Sequence, residues 1–301
     1  MAENEWLAER FEHHRTHLRA VAYRLLGSLT EADDAVQEAW LRASRAGASD
    51  VDNLVGWLTT VVARVALNML RSRNMRREQS YLGHLPDPLV SNDGEVQPEQ
   101  EAILADSVGL ALLVVLDSLA PAERLAFVLH DVFSLPFEEI APMVGRTPAA
   151  ARQLASRARR RIEGSEIPSP DPDRSRQRAV VDAFFSAARG GDFDALLALL
   201  DPEIVLRADF GAKHPDRSVV IRGASEVARS AIMGGALAGA RVIPVLVNGA
   251  AGAVIMVGGH PFAVMGFIVA DGRILEIDAI AEPHRVRRIT APVLGASDQE
   301  G

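Results

Sequence analysis

The chain has no cysteine and, among 32 basic residues, a single lysine, Lys213. The first absence excludes disulfides and every metal site built on thiolates. The second leaves arginine to carry nearly all the positive charge and, with abundant alanine and valine, suggests a high-GC genome. The opening MAENEWLAERFEHH has no apolar core of the kind a signal peptide needs. No stretch reaches the roughly 18–20 apolar residues of a membrane helix; Val242–Val257 is broken by Pro244, Asn248 and two glycines. A soluble, cytoplasmic protein with no membrane partner is expected. Net positive charge is missing too: the formal balance is −8. Residues 1–163 hold 18 Arg against 23 Asp+Glu, a net of −5, and residues 164–301 hold 14 basic against 17 acidic, a net of −3. A protein that grips nucleic acid by bulk charge is basic overall, so that mode is excluded.

What is present is arginine gathered into two short segments. One is GWLTTVVARVALNMLRSRNMRR, residues 56–77; the other is PFEEIAPMVGRTPAAARQLASRARRR, residues 136–161. The second reads as a helix-turn-helix: a short helix around Phe137–Val144, a break at Gly145-Arg146, then a longer helix from Thr147. The Thr147 hydroxyl suits an N-cap and Pro148 the first helical position. Gly145 to Arg161 carries six arginines and no acid, so its exposed face should attract phosphate. Ala151, Leu154, Ala155 and Ala158 take the buried side of the longer helix, leaving Arg152, Gln153 and Ser156 outward, where a recognition helix meets base edges.

The rest of the chain is long enough for two or three domains. Residues 5–77 read as consecutive helices, with Leu18, Val21, Ala22, Leu25 and Leu26 at helical spacing. Thr30 marks the start of EADDAVQEAWLRASR, whose acidic first turn and basic last turn suit the helix dipole. A further helix covers Leu54 to Arg71, with Leu58, Val61, Val62, Val65 and Leu70 inward. Residues 79–105 form a linker with Pro- and Gly-rich YLGHLPDPLVSNDGEVQPEQ at its front. Helical pattern resumes over Glu101–Leu119 and Pro121–Asp131. After a Pro-rich break, 164–173, come helices over 176–200 and then β-rich runs at 204–209, 218–223, 241–249, 252–258, 261–272 and 273–282, with a helix at Ala224–Met233. Asn248-Gly249 and Asp271-Gly272 are hairpin-turn signals. Helices followed by a meandering sheet make an α+β unit.

TEADDAVQEAWLRA, the 56–77 segment and LAPAERLAFVLHDVFSLPFEEIAPMVGRTPAAARQLASRARRR, in that order, resemble bacterial extracytoplasmic-function (ECF) sigma factors over residues 8–163. The resemblance implies a region-two helical domain (1–78) and a region-four helix-turn-helix domain (106–163), both all-α, with core RNA polymerase and promoter DNA as partners. On it, Asp33, Asp34, Gln37 and Glu38 match the polymerase-docking helix. Trp57, Arg64, Asn68, Arg71 and Arg73 fall in the segment that opens and contacts the minus-ten element. Arg146, Thr147, Arg152, Gln153, Ser156, Arg157 and Arg160 fall on the reader of the minus-thirty-five element. Opened strands expose base faces and phosphates, which an aromatic side chain and arginines can engage. The acidic balance fits a partner that supplies the bulk of the DNA affinity.

Residues 174–290 resemble the SnoaL-like (NTF2-like) α+β cone, followed by a tail, 291–301. An ECF sigma factor so extended is similar to the sigma-J-like group, in which the fused domain regulates activity. Three short motifs of that group have altered counterparts here. YLGHLPDPL (81–89) resembles a linker motif with a tryptophan near Leu-Pro, about where His84 stands. DFGAK (209–213) resembles Asp-Gly-Gly-Gly-Lys, with Phe210 and Ala212 in place of glycines; EPHRV (282–286) resembles Asn-Pro-Asp-Lys-Leu. The resemblance implies regulatory contacts at Leu85, Pro86, Asp87, Pro88, Asp209, Lys213, Pro283 and Arg285. Because the linker's Leu82, Leu85 and Leu89 are apolar, the segment is expected to dock on another surface.

The same cone serves isomerases and cyclases, which need convergent titratable groups. The candidates are Asp209, His214, His260 and Asp278. The inner sheet, read as Val254, Met256, Val264, Met265, Phe267 and Ile277, is apolar, so neither catalysis nor a cofactor or metal is expected. A small-molecule ligand in the cone is the partner left open. The alternatives are a ligand-sensing helix-turn-helix regulator, which would bind DNA without polymerase, and an enzyme of the cyclase or isomerase type.

Overall fold

The computed structural model describes residues 2–47, 51–77, 85–92, 110–164, 170–211, 213–214, 216–236 and 239–295. They fall into two units. One holds residues 2–47, 51–77 and 112–164; the other holds 85–92, 110–111 and the described residues from 170 to 295.

The first unit is helical. α1 (Ala2–Leu26) turns at Gly27, whose φ of 70° lies in the left-handed region. α2 (Leu29–Ala46) begins at Ser28, whose hydroxyl accepts from the Glu31 amide. The helix therefore starts before Thr30, the residue expected to cap it. α3 (Leu54–Arg77) passes the expected end at Arg71. Its Leu58, Val62, Val65 and Leu70 are buried, together with Leu18, Val21, Ala22, Leu25 and Leu26 of α1. α3 also corrects the expectation about membranes, since Leu54–Arg73 is long and apolar enough to cross one. Its inward side chains are instead the core of this three-helix body, and Arg64, Asn68 and Arg71 keep its other face in water.

α4 (Leu110–Asp117) and α5 (Pro121–Phe127) follow, and α5 runs into a π-helical turn at Val128–Val132. α6 (Phe137–Val144) ends on Gly145 in the αL conformation, the role that glycine fills without steric cost. α7 (Pro148–Glu163) is capped by Thr147, which accepts from the Ala150 amide. Ala151, Ala155 and Ala158 are buried and Leu154 is half-buried, so small side chains let α7 lie close to α5 and α6.

The second unit is α+β. α8 (Arg174–Gly190) and α9 (Phe193–Leu199) lead into β2 (Leu200–Asp209), then β3 (Val219–Arg222), α10 (Ala224–Gly235), β4 (Arg241–Val247), β5 (Ala250–Val257), β6 (His260–Ala270), β7 (Arg273–Ile280) and α11 (Pro283–Leu294). A two-residue strand, β1 (Val90–Ser91), comes from the expected linker and pairs with Val247 and Leu246. The sheet order is β1-β4-β5-β6-β7-β2-β3, antiparallel except between β2 and β7. Asn248-Gly249 and Asp271-Gly272 take positive φ at both positions and close two hairpins, while Gly258-Gly259 closes a third.

Successive strand residues point to opposite faces. One face, with Leu206, Ala208, Ala251, Ala253, Phe267 and Ile277, packs on α8, α9 and α10, where Phe184, Phe185 and Phe267 meet edge to face. Val254, Met256 and Val264, expected on that inner face, alternate onto the other. There α11 covers the sheet along β6, burying Val286 and Ile289.

Candidate functional site

Three groups of residues carry the expectations. On α2, Asp34 and Gln37 are exposed and Glu38 is half-exposed beside Arg42, which donates to it at 2.8 Å. One turn on, Leu41 is exposed on the same stripe, a large apolar group that sequence reasoning passed over. Asp33 turns back instead toward α1, where Arg19 Nε and Nη2 donate to its two oxygens at 2.6 and 3.0 Å.

On α3, Arg64, Asn68 and Arg71 are exposed at spacings of four and three, so they share one face, with half-buried Trp57 two turns earlier. Arg73 lies off that face. Its Nη1 donates to the Leu26 carbonyl at 3.1 Å and its Nη2 pairs with Glu31.

In the helix-turn-helix, Arg146, Thr147, Arg152, Gln153, Arg157 and Arg160 are exposed and Ser156 is half-buried. The Arg152 guanidinium lies 5.2 Å over the Phe137 ring, which stacks on His130 at 3.9 Å. The outward start of α7 is thus propped from α6. Arg159, left off the expected reader, donates to Asp131 at 2.6 Å.

In the second unit the residues expected to regulate converge, although they come from three distant segments. Asp209 closes β2 with no exposed surface. Its Oδ1 accepts the Gly211 amide at 2.8 Å, and its Oδ2 accepts the Leu85 amide at 2.9 Å and Arg285 Nη1 at 2.6 Å. Arg285 Nη2 donates to the Leu85 carbonyl at 2.5 Å, and its Nε donates to Asp87 Oδ1 at 2.7 Å. The guanidinium is spent on two carboxylates and one carbonyl of this chain. Burial disfavours its charge, but Asp87 and Asp209 outweigh burial and raise the Arg285 pKa.

The backbone is shaped to allow this. Pro283 is the first residue of α11, and Glu282 caps the helix by accepting the Arg285 amide at 2.6 Å. Gly211 is the glycine retained from the resembled motif. Its φ is 83°, and a Cβ there would stand 2.3 Å from Glu282 Cγ. Pro86 and Pro88 are buried beside Asp87. Lys213 is exposed and is not among these partners; His84 and Leu82 lie outside the described residues.

Two partners went unforeseen. Arg288 donates to Asp87 Oδ2 at 2.7 Å, three residues after Arg285 and so on the same helix face. Asn248, read only as a turn residue, accepts the Leu89 amide at 2.7 Å and donates its own amide to the Leu89 carbonyl at 2.8 Å. The EPHRVRR spacing could have revealed the first; nothing local marks the second.

The catalytic candidates do not assemble in the cone. His214 and His260 are exposed. Asp278 accepts from Arg207 at 3.1 Å on the sheet face away from α8 and α9, with Glu276 on the same guanidinium. Burial pushes Asp278 up to about 6 against the pull of Arg207. An open groove of about 730 Å³ lies elsewhere, between Val220, Ile221, Ile232 and Met233.

Comparison with known proteins covers both units. The Sigma-70 region 2 family model matches residues 10–76, and the Sigma-70, region 4 model matches residues 109–162. The chain is similar to the ECF RNA polymerase sigma factor SigJ of Mycobacterium tuberculosis, 41% identical over 250 residues, 81% of this chain and 79% of that one. It is 38% identical over 230 residues to a protein of the same species described as "Probable ECF RNA polymerase sigma factor SigI", covering 75% of this chain and 76% of the relative. The crystal structure of the Mycobacterium tuberculosis SigJ superposes with a TM-score of 0.72 at 33% identity, over 92% of this chain and 97% of that one.

Proposed function

The chain belongs to the extracytoplasmic-function sigma factor family, and from that premise we propose that its α+β unit regulates promoter-specific initiation in cis. The observation that carries the proposal is the docking of Leu85–Ser91, a piece of the connection between regions two and four, onto that unit. Leu85, Leu89 and Val90 are each at most 4% exposed. Leu85 and Leu89 are held through backbone hydrogen bonds, and the Asp87 carboxylate sits between Arg285 and Arg288. A connector pinned at its middle cannot adjust freely to the separation that polymerase imposes on the two sigma regions. Holding or releasing it therefore biases the polymerase-bound state by whatever the docking is worth.

In this reading Asp34, Gln37 and Glu38, with Leu41 among them, form the face offered to core RNA polymerase. Trp57, Arg64, Asn68 and Arg71 engage the opened minus-ten strands. Arg146, Arg152, Gln153, Arg157 and Arg160 meet the minus-thirty-five duplex, with Thr147 and Ser156 at the rim. Asp33 acts through Arg19, orienting α2 against α1. The protein works in the cytoplasm and performs no chemistry on a small substrate. A ligand-sensing repressor would have no use for an exposed acidic stripe and a separate arginine stripe on adjacent helices.

In vitro transcription with core polymerase tests this. The full chain should support promoter-specific run-off product. Arg285→Glu, which places a third carboxylate beside Asp87 and Asp209, should change the yield at a fixed concentration of chain. Removing residues 173–301 should change it as well. Equal yields from all three chains would refute regulation in cis while leaving the sigma activity standing.

A further inference from the structure

Of the arginines placed above on the reading face, Arg146, Arg152, Arg157 and Arg160, only Arg152 has an aromatic ring beneath it among the described residues. Its guanidinium lies 5.2 Å from the centre of the Phe137 ring. Phe137 is in turn stacked on His130, with ring centres 3.9 Å apart and planes 29° from parallel. Phe137 is 6% exposed and His130 is half-buried. The three side chains make a run of contacts from the interior of the unit to the outward start of α7.

The backbone that carries His130 departs twice from regular geometry. His130 lies in the π-helical turn Val128–Val132, after which the Phe133 amide donates to the Val128 carbonyl, five residues back, at 3.2 Å. Ser134 then takes φ 55°, a left-handed conformation that a residue with a Cβ adopts only at a cost. The Leu135 amide donates to the Leu129 carbonyl at 2.9 Å and closes the loop. These departures bring the Leu135 carbonyl to His130, whose Nδ1 donates to it at 2.9 Å. A carbonyl only accepts, so Nδ1 carries the hydrogen, and that bond holds the imidazole face against Phe137. Single π-helical turns interrupt the helix ladder and recur at functional sites.

An exposed arginine is long and flexible, and fixing it on a base edge costs entropy at the moment of binding. A guanidinium that already rests on a ring is partly fixed beforehand. We propose that the His130–Phe137 stack presets Arg152, which makes His130 and Phe137 positioning residues for reading the upstream promoter element. They set how sharply one base pair of that element is discriminated. The inference rests on the sigma-factor reading and on Arg152 meeting base edges. His130 acts through Phe137, and Phe137 acts through Arg152. Because no other arginine of that face rests on the stack, the effect is confined to what Arg152 reads. Presetting one such side chain is worth about two- to ten-fold in discrimination.

Competition run-off transcription by the full chain with core polymerase tests this, on templates that each change one base pair of the upstream element. Arg152→Ala identifies the base pair that Arg152 discriminates. Phe137→Leu keeps an apolar side chain but has no ring face, and His130→Ala removes the layer beneath. Each should weaken preference at that base pair by about two- to ten-fold and leave the other positions as in the wild type. Either change combined with Arg152→Ala should add nothing, since residues that act through one contact are not additive. His130→Phe, which returns a flat ring to Phe137, should recover most of what His130→Ala loses. Melting temperatures of the same chains separate unfolding from mispositioning, and His130→Ala carries the test should Phe137→Leu fail to fold.

Preference lost evenly at every base pair, or losses that add to those of Arg152→Ala, would overturn the positioning role and leave the two rings as packing. No recovery in His130→Phe would overturn the stack as its cause. Unchanged preference in Arg152→Ala would overturn the placement of Arg152 on base edges, and this inference with it. A wild-type chain that gives no run-off product would strike the sigma-factor reading beneath both.

Discussion

Arginine is put to opposite uses in the two units. In the helical unit Arg64, Arg71, Arg146, Arg152, Arg157 and Arg160 are exposed, and among the described residues no carboxylate forms an ion pair with any of them. In the α+β unit Arg178 donates to the carbonyls of Gly252 and Val245, Arg207 holds Glu276 and Asp278, and Arg285 holds Asp87 and Asp209. The first set is left exposed; the second is consumed in holding strands and a connector together. Position therefore separates them better than composition does, since each half of the chain is acidic on balance. Arg73 and Arg124 break the pattern from inside the helical unit, where carboxylates and carbonyls of that unit hold them.

The contrast predicts the largest effect at Arg285. Arg285→Ala leaves Asp209 and Asp87 buried without their shared cation, and loss of one partner from a buried pair costs about 3–5 kcal/mol. Hydrogen exchange at the Leu85 and Leu89 amides should accelerate by two orders of magnitude or more, because their acceptors, Asp209 and Asn248, hold a connector that no longer docks. Protection equal to wild type would mean that Asn248, β1 and Arg288 hold the segment without Arg285.

The free arginines should behave in the opposite way. Arg64→Ala and Arg71→Ala should leave the melting temperature within what about 0.5 kcal/mol allows, while run-off transcription falls on the order of ten-fold. Loss of stability without loss of transcript would reverse their assignment. A smaller effect is expected at α7. Arg152→Ala and Gln153→Ala should each cost roughly 1–3 kcal/mol of discrimination at the upstream element, read as promoter preference in competition. Preference unchanged in both variants would move the reading face elsewhere on the helix.

The parts legible in advance are those fixed by local rules. Gly145 at φ 66° followed by Thr147 and Pro148 defines the helix-turn-helix within four residues. The Asn-Gly and Asp-Gly pairs define their hairpins in two. What escaped notice depends on distant chain. β1 has two residues in a proline-rich stretch, and its partners lie on β4, more than 150 positions away. Asp87 and Arg285 are 198 positions apart. The family resemblance pointed at both residues, but no periodicity could pair them. Arg73 was grouped with Arg64 and Arg71 by the family resemblance, whereas helical geometry sets residues two apart on different faces. The cone's inner face was misread because Val254 and Val264 are apolar on a side that looks exposed until α11 covers it. That helix was itself missed, since glutamate is an uncommon N-cap.

A shift of a few degrees in melting separates burial from pairing within the α+β unit. Asp278 is 3% exposed and shares Arg207 with Glu276, and its carboxyl sits at about 6 rather than the ordinary 3.8. Between those values the folded chain binds a proton that the unfolded chain has released, so stability falls as pH rises through that window. Above about 6 the ionised, buried carboxylate carries the full cost, on the order of 2–3 kcal/mol. Asp278→Asn removes this titration and keeps an acceptor toward Arg207, which remains bound to Glu276 at 3.0 and 3.2 Å. The two chains should therefore melt close together at pH 4, and the variant should melt a few degrees higher at pH 7. Other groups titrate in both chains and cancel in the difference. If the ion pair outweighs the burial, the sign reverses and Asp278→Asn melts lower at pH 7; Arg207 would then be a stabilising centre in the same sense as Arg285.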